Sequence, residues 1–200
     1  MDKTRTETFS DGVFAIAATL LVLGFHYPTT DGHLGRFILN LWPSLFAYFV
    51  SFLLVGLIWA NHHSMFVHFQ RVDRTLLLLN TLLLASVAFL PFPTELVAHA
   101  LDAGQDLKPA ALLYGLTLTV GGIFFNAVWN YAANYKKLLK ADLSKKFIRQ
   151  TTRRFLLGPL FYGMATIISL IAPLISLVGY MVLIIFYWLP PKDENKALSV

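Results

Sequence analysis

Apolar residues in this chain are gathered into membrane-length blocks joined by short polar connections, rather than spread as stripes along amphipathic helices. That arrangement constrains the fold more than any single motif. Hydrophobic residues make up 56% of the 200, and only 14% are charged, against about a quarter in an ordinary soluble domain. A bilayer is therefore the solvent to assume. Six helical spans are predicted: Arg5 to Phe25, Pro43 to His63, Thr75 to Leu90, Pro109 to Tyr131, Phe155 to Ile171 and Ile175 to Leu189. Thr4-Arg5-Thr6-Glu7 fits a capping box at the start of the first. Pro43 suits a first helical position. The third span meets Pro91 and Pro93 and is open to continuing beyond them with a kink. A basic helical segment from Asp142 extends the fifth, and a tight turn around Ala172-Pro173 joins it to the sixth.

Six spans place both termini on one side, and charge supports that count. Lys3, Arg5, Arg71, Arg74, the cluster Lys136 to Arg154, Lys192 and Lys196 put fourteen basic residues on the terminal side, against Arg36 and Lys108 on the other. Such a bias marks the cytoplasmic side, so the expectation is a multi-pass protein of the cell membrane with both termini cytoplasmic. The net charge of +5 then reports topology rather than a nucleic-acid partner. The basic cluster also suits anionic headgroups of membrane lipid. Residues 1–200 read as a single all-α domain. No cleavable leader is evident. The absence of cysteine removes disulfides, thiolate metal sites and cysteine catalysis. No phosphate-binding loop, nucleophile elbow or paired zinc ligands stand in the sequence, so neither an enzyme nor a cofactor is expected.

The first span carries the chemistry. Arg5, Phe9, Ser10, Asp11 and Gly12 run straight into an apolar stretch, and ionisable groups at membrane depth are functional candidates. At about 100° per residue, Ile16, Leu20 and Leu23 share a face that extends back through Gly12, Phe9 and Arg5. Thr19 flanks it. Ordinary packing or lipid contact would use the same spacing, so spacing alone leaves a pore role open. Asp11 lies about 140° from Ile16 and needs other partners. Trp59, Asn61, His62 and His63 come late in the antiparallel second span, at similar depth. They suit an interhelical polar clamp, with Gly12 allowing close approach. His62, His63 and His68 lack the i, i+4 spacing of helical metal ligands, so no metal is expected. Asn80, Asn126 and Asn130 read as isolated amides that glue helices together.

Arg5-x-x-x-Phe9-Ser10-Asp11-Gly12, the Val13-Phe14-Ala15-Ile16 that follows and Trp59-x-x-His62-His63 resemble the signature of the transmembrane protein 175 family of potassium channels. The single set of helices resembles the prokaryotic members of that family. The resemblance implies a homotetramer in which four first helices line a pore without the usual filter loop. Ile16 matches the narrow ring, Leu20 and Leu23 match further apolar rings, and Thr19 matches a hydroxyl layer linked to selectivity. Arg5, Ser10 and Asp11 match a network with the second helix. The expectation is therefore a channel conducting potassium ions with modest preference over sodium, gated by apolar constriction. Two rivals stay open: a proton-permeable channel using the same rings, and a proton-coupled secondary transporter using Asp11 and the second-helix histidines.

Overall fold

A computed structural model describes residues 2–25, 34–135 and 138–188. The first helix, α1 (Lys3–Leu20), starts from Asp2 rather than Thr4: the Asp2 carboxylate accepts from Thr4 N at 3.0 Å. Glu7 does not reach back to a capping threonine but pairs with Lys3 at 3.5 Å, one turn away. An aspartate is the better cap, and an i, i+4 cation competes for the glutamate, so the expected capping box does not form. A 3-10 turn, Leu21–Gly24, carries α1 onward to Phe25.

Beyond a short helix α2 (Leu34–Asn40) come α3 (Trp42–Val67), α4 (Arg74–Phe89) and α5 (Pro91–Ala103). Asp73 caps α4, accepting from Leu76 N at 2.8 Å, and its other oxygen accepts from the Tyr131 hydroxyl at 2.7 Å. The chain stays helical through the prolines: α5 begins at Pro91, where a missing N–H is harmless, and Thr94 N still reaches Leu90 O at 3.2 Å. Gly104 and Asp106 then turn the chain with φ of 66° and 59° into α6 (Leu107–Asn134). Ser144 caps α7 (Lys145–Ser169), and a turn at Leu170–Ala172 leads into α8 (Pro173–Trp188). The expected end of the sixth span at Leu189 lies outside the described residues, as do Lys136, Lys137, Lys192 and Lys196.

The expectation of six membrane-length apolar helices needs correction. Among the described residues four are long and apolar enough to cross: Lys3–Gly24, Trp42–Val67, Arg74–Ala103 and Leu107–Asn134. The α7 helix has the length but begins with Lys145, Lys146, Arg149, Arg153 and Arg154, which lower its apolar content. The α8 helix is apolar but has 16 residues, roughly 24 Å against a hydrocarbon core of about 30 Å.

Helices in lipid gain little from apolar burial against one another, so close packing and polar contacts hold them. Helix α6 sits centrally, packed on α4, α5, α7 and α8. A Cβ at Gly115 of α6 would fall on the Tyr180 hydroxyl of α8, so only glycine admits that approach. At the basic end, Trp129, Phe66 and Phe69 are fully buried. There the α3–α4 connection pairs with the α6–α7 connection: Gln70 N donates to Leu138 O at 2.7 Å and Lys140 N to His68 O at 3.0 Å. These bonds fix the register of α3 and α4 against the rest, and so the depth at which they meet α1.

Candidate functional site

The two sides of α1 differ in kind. Thr6, Ser10, Phe14, Ala17 and Leu21, spaced four, four, three and four residues apart, are buried against α3 and α4. Phe9, Ile16, Leu20 and Leu23 face away from the other described helices, with Ile16 60% and Leu23 65% exposed. Nothing lies within 4 Å of where a Cβ at Gly12 would stand, so Gly12 belongs to this open side and brings no helix close. Thr19 is exposed beside them, and its hydroxyl donates back to Ile16 O at 2.9 Å.

On the buried side a chain of hydrogen bonds crosses three helices. Ser10 Oγ donates to Thr6 O at 2.8 Å. With its single proton so placed, Ser10 can only accept from the Asn80 amide, 3.0 Å away. That orientation turns Asn80 Oδ1 to His62, at 2.8 Å, so His62 donates from Nε2. The proton positions on all three side chains follow from that one carbonyl. Ser10, Asn80 and His62 are all at most 2% exposed. The His62 ring is further held by Phe14 at 5.3 Å, edge to face, and by Phe66, stacked at 4.3 Å.

A second contact lies at the edge. Trp59 Nε1 donates to Asp11 Oδ1 at 2.8 Å, both residues being exposed in the single chain. His63 stacks beneath Trp59, ring centroids 6.2 Å apart. Asn61 turns back on its own helix and donates to Leu57 O at 2.9 Å. Arg5 has no polar partner among the described residues. The α1–α3 interface thus gathers Ser10, Asp11, Trp59, His62 and His63, and leaves Asn61 and Arg5 outside. Asn80, read from the sequence only as glue, is the central link. Its signal was an amide alone among the leucines of α4, which does not say what it bonds.

Among the described residues no group of three histidine, aspartate or glutamate side chains is placed to hold a metal ion.

This interface lies within the stretch that matches a known family. Residues 5–91 match the profile described as endosomal/lysosomal potassium channel TMEM175. A potassium channel of Streptomyces collinus is 37% identical over 92% of this chain and 90% of its own length. The chain belongs to the TMEM175 family. The crystal structure of a TMEM175 homolog from Chamaesiphon minutus, described as a lysosomal potassium-selective channel, superposes with a TM-score of 0.83. That structure is 35% identical, and the match covers 92% of this chain and 95% of that one. The human TMEM175 protein, described as an endosomal/lysosomal proton channel, is 36% identical over 66% of this chain but only 28% of its own length. The single-repeat layout and the bacterial relatives place this chain among the prokaryotic-type members.

The family comparison also corrects the expected location. The vertebrate TMEM175 relatives are endosomal/lysosomal by description, so placement in the cell membrane does not stand. A multi-pass membrane protein remains.

Proposed function

We propose that this chain is the subunit of a homotetrameric, potassium-permeable cation channel, with four copies of α1 around a central pore. The observation that carries this is the open side of α1. Ile16, Leu20 and Leu23 form an apolar stripe that stands exposed among the described residues, while the opposite side is pinned by Ser10 and Phe14 to α3 and α4. Four such stripes facing one axis give rings that control conduction by constriction and dewetting, with Ile16 the narrowest and Thr19 a hydroxyl layer beside it. The names of the bacterial relatives support potassium as the permeant ion. In this reading α7 and α8 cross as an antiparallel pair, completing six spans and leaving the α3–α4 and α6–α7 connections on one basic side. The network of Ser10, Asp11, Trp59 and His62 orients the pore helix and does not bind ions. No catalysis or organic cofactor takes part.

The test is reconstitution of the purified protein in planar bilayers under potassium and sodium gradients. Unitary current steps with a reversal potential favouring potassium are expected. Slow, saturable flux without steps would assign the chain to a carrier instead. Proton permeation is a second reading, favoured by the proton-channel descriptions of the vertebrate relatives. A reversal potential that follows the pH gradient would select it.

A further inference from the structure

The first turns of α7 have two unlike faces. One is fastened to the rest of the chain: Phe147 meets the His68 ring edge to face at 4.9 Å, and Thr152 Oγ1 accepts from Trp129 Nε1 at 2.8 Å. The other carries Lys145, Arg149 and Arg153, four residues apart and all exposed. At about 1.5 Å per residue they form a ladder of cations with rungs about 6 Å apart. Lys146 stands exposed beside the first rung, whereas Arg154 turns inward and lines an internal cavity. Among the described residues no carboxylate pairs with Lys145, Lys146, Arg149 or Arg153. The last acidic residue before the ladder is Asp142, and none follows within α7. Like charges four apart on a helix repel, and Lys145 and Lys146 in the first turn oppose the helix dipole. Interspersed carboxylates would relieve both costs on an ordinary solvated face. Here the relief has to come from anions outside the helix.

Position identifies those anions. Helix α7 packs on α6 and α8, whereas α1 packs on α3, α4 and α5, so the ladder stands on the outer flank away from α1. Phe155 opens the apolar remainder of α7, which sets Arg153 at the edge of the hydrocarbon. The ladder is about 12 Å long, against roughly 6 Å of headgroup region in each leaflet. Arg149 then lies among the headgroups and Lys145 just beyond them. We infer that Lys145, Arg149 and Arg153 dock the phosphates of anionic bilayer lipids in the leaflet on the basic side. The docking holds the otherwise self-repelling start of α7 against the membrane. It requires the chain's place in a bilayer and not ion conduction, so it stands or falls apart from the proposed channel function.

Lipid retention tests the ladder. The protein is purified from mixed micelles holding equal amounts of phosphatidylglycerol and phosphatidylcholine, and the lipids it keeps are counted by native mass spectrometry. The native protein should keep phosphatidylglycerol in preference, and the preference should weaken in high salt. Arg149→Gln should lower it about fivefold, the contribution of one surface cation. Arg149→Lys should retain most of it, because the charge does the holding. Lys108→Gln removes an equal charge near the start of α6, on the other side of the membrane, and should leave the preference unchanged. Equal retention of the two lipids by the native protein overturns the proposal, as does a native preference in Arg149→Gln. An equal fall in Lys108→Gln overturns the ladder and assigns the preference to net charge. Displacement of the retained phosphatidylglycerol by excess soluble glycerophosphate overturns the bilayer source and assigns the ladder to free phosphates.

Discussion

Asn80 and Asp11 are both polar groups in apolar helices, yet their environments set different stakes. Asn80 is fully enclosed and answers both Ser10 and His62. Replacing it with leucine strands a buried hydroxyl oxygen and a buried ring N–H, at about 1–3 kcal/mol each. Asn80→Leu should therefore lower the thermal midpoint of the detergent-purified protein sharply. Trp59→Phe removes only an exposed donor to an exposed carboxylate, and should cost about 1 kcal/mol or less. A thermal shift series comparing the two variants checks this; equal losses would show that the Ser10–Asn80–His62 chain carries no special weight. The sequence made the Asp11 half of this contrast readable and hid the Asn80 half. Ser10, Asp11 and His62 stand in motifs whose residue types announce polar contacts at membrane depth. Asn80 stands in no motif, and an amide offers both a donor and an acceptor, so its partners depend on which helices tertiary packing brings alongside.

At the scale of elements, the decisive connections are those between α3 and α4 and between α6 and α7, which bond to each other at the basic end. His68 lies in this joint, its ring edge to face with Phe147 at 4.9 Å. Burial first, and the nearby Lys140 charge second, hold its pKa below the usual 6.5, with Asp142 opposing and Lys3 adding to the shift. A folded pKa below the unfolded one means that the unfolded form binds more protons. The joint therefore keeps its full stability above pH 6.5 and loses it as pH falls below that value. Hydrogen exchange of the Gln70 and Lys140 amides, corrected for intrinsic rates, should show protection falling on acidification, and His68→Phe should flatten the dependence. Protection that rises toward acid would reverse the assignment. Such loop-to-loop pairing is not written in either loop. Helix positions were legible from apolar blocks and prolines, whereas the start of α1 depended on competition between Asp2 and Thr4 that propensity ranks only weakly. The fifth and sixth spans are placed from apolar segments, with charge bias supporting the count, and among the described residues neither α7 nor α8 alone has both the length and the apolar content of a span.

For the whole molecule, the stripe of Ile16, Leu20 and Leu23 is the open question: among the described residues it stands exposed. In the proposed reading, the resemblance of residues 5–12 to the TMEM175 family gives that stripe a purpose that helical spacing could not, because an exposed apolar face suits lipid equally well. In the proposed tetramer the face from Phe9 to Leu23 offers no acidic side chain, so cation selection cannot come from a carboxylate ring. Two terms remain. Ions lose hydration at the Ile16 ring, and the Thr19 oxygens return part of it. The Thr19 hydroxyl donates its proton to Ile16 O, which leaves its oxygen lone pairs free to face a cation. A hydroxyl replaces a hydration shell poorly, so discrimination between potassium and sodium should be modest. Thr19→Ala should lower the potassium-to-sodium permeability ratio, measured from reversal potentials under bi-ionic conditions. Ile16→Asn should raise conductance and also lower the ratio, because a polar ring removes the dehydration barrier that both ions must pass. If both variants keep the native ratio, selection resides away from this face and α1 is not the selective element of the pore.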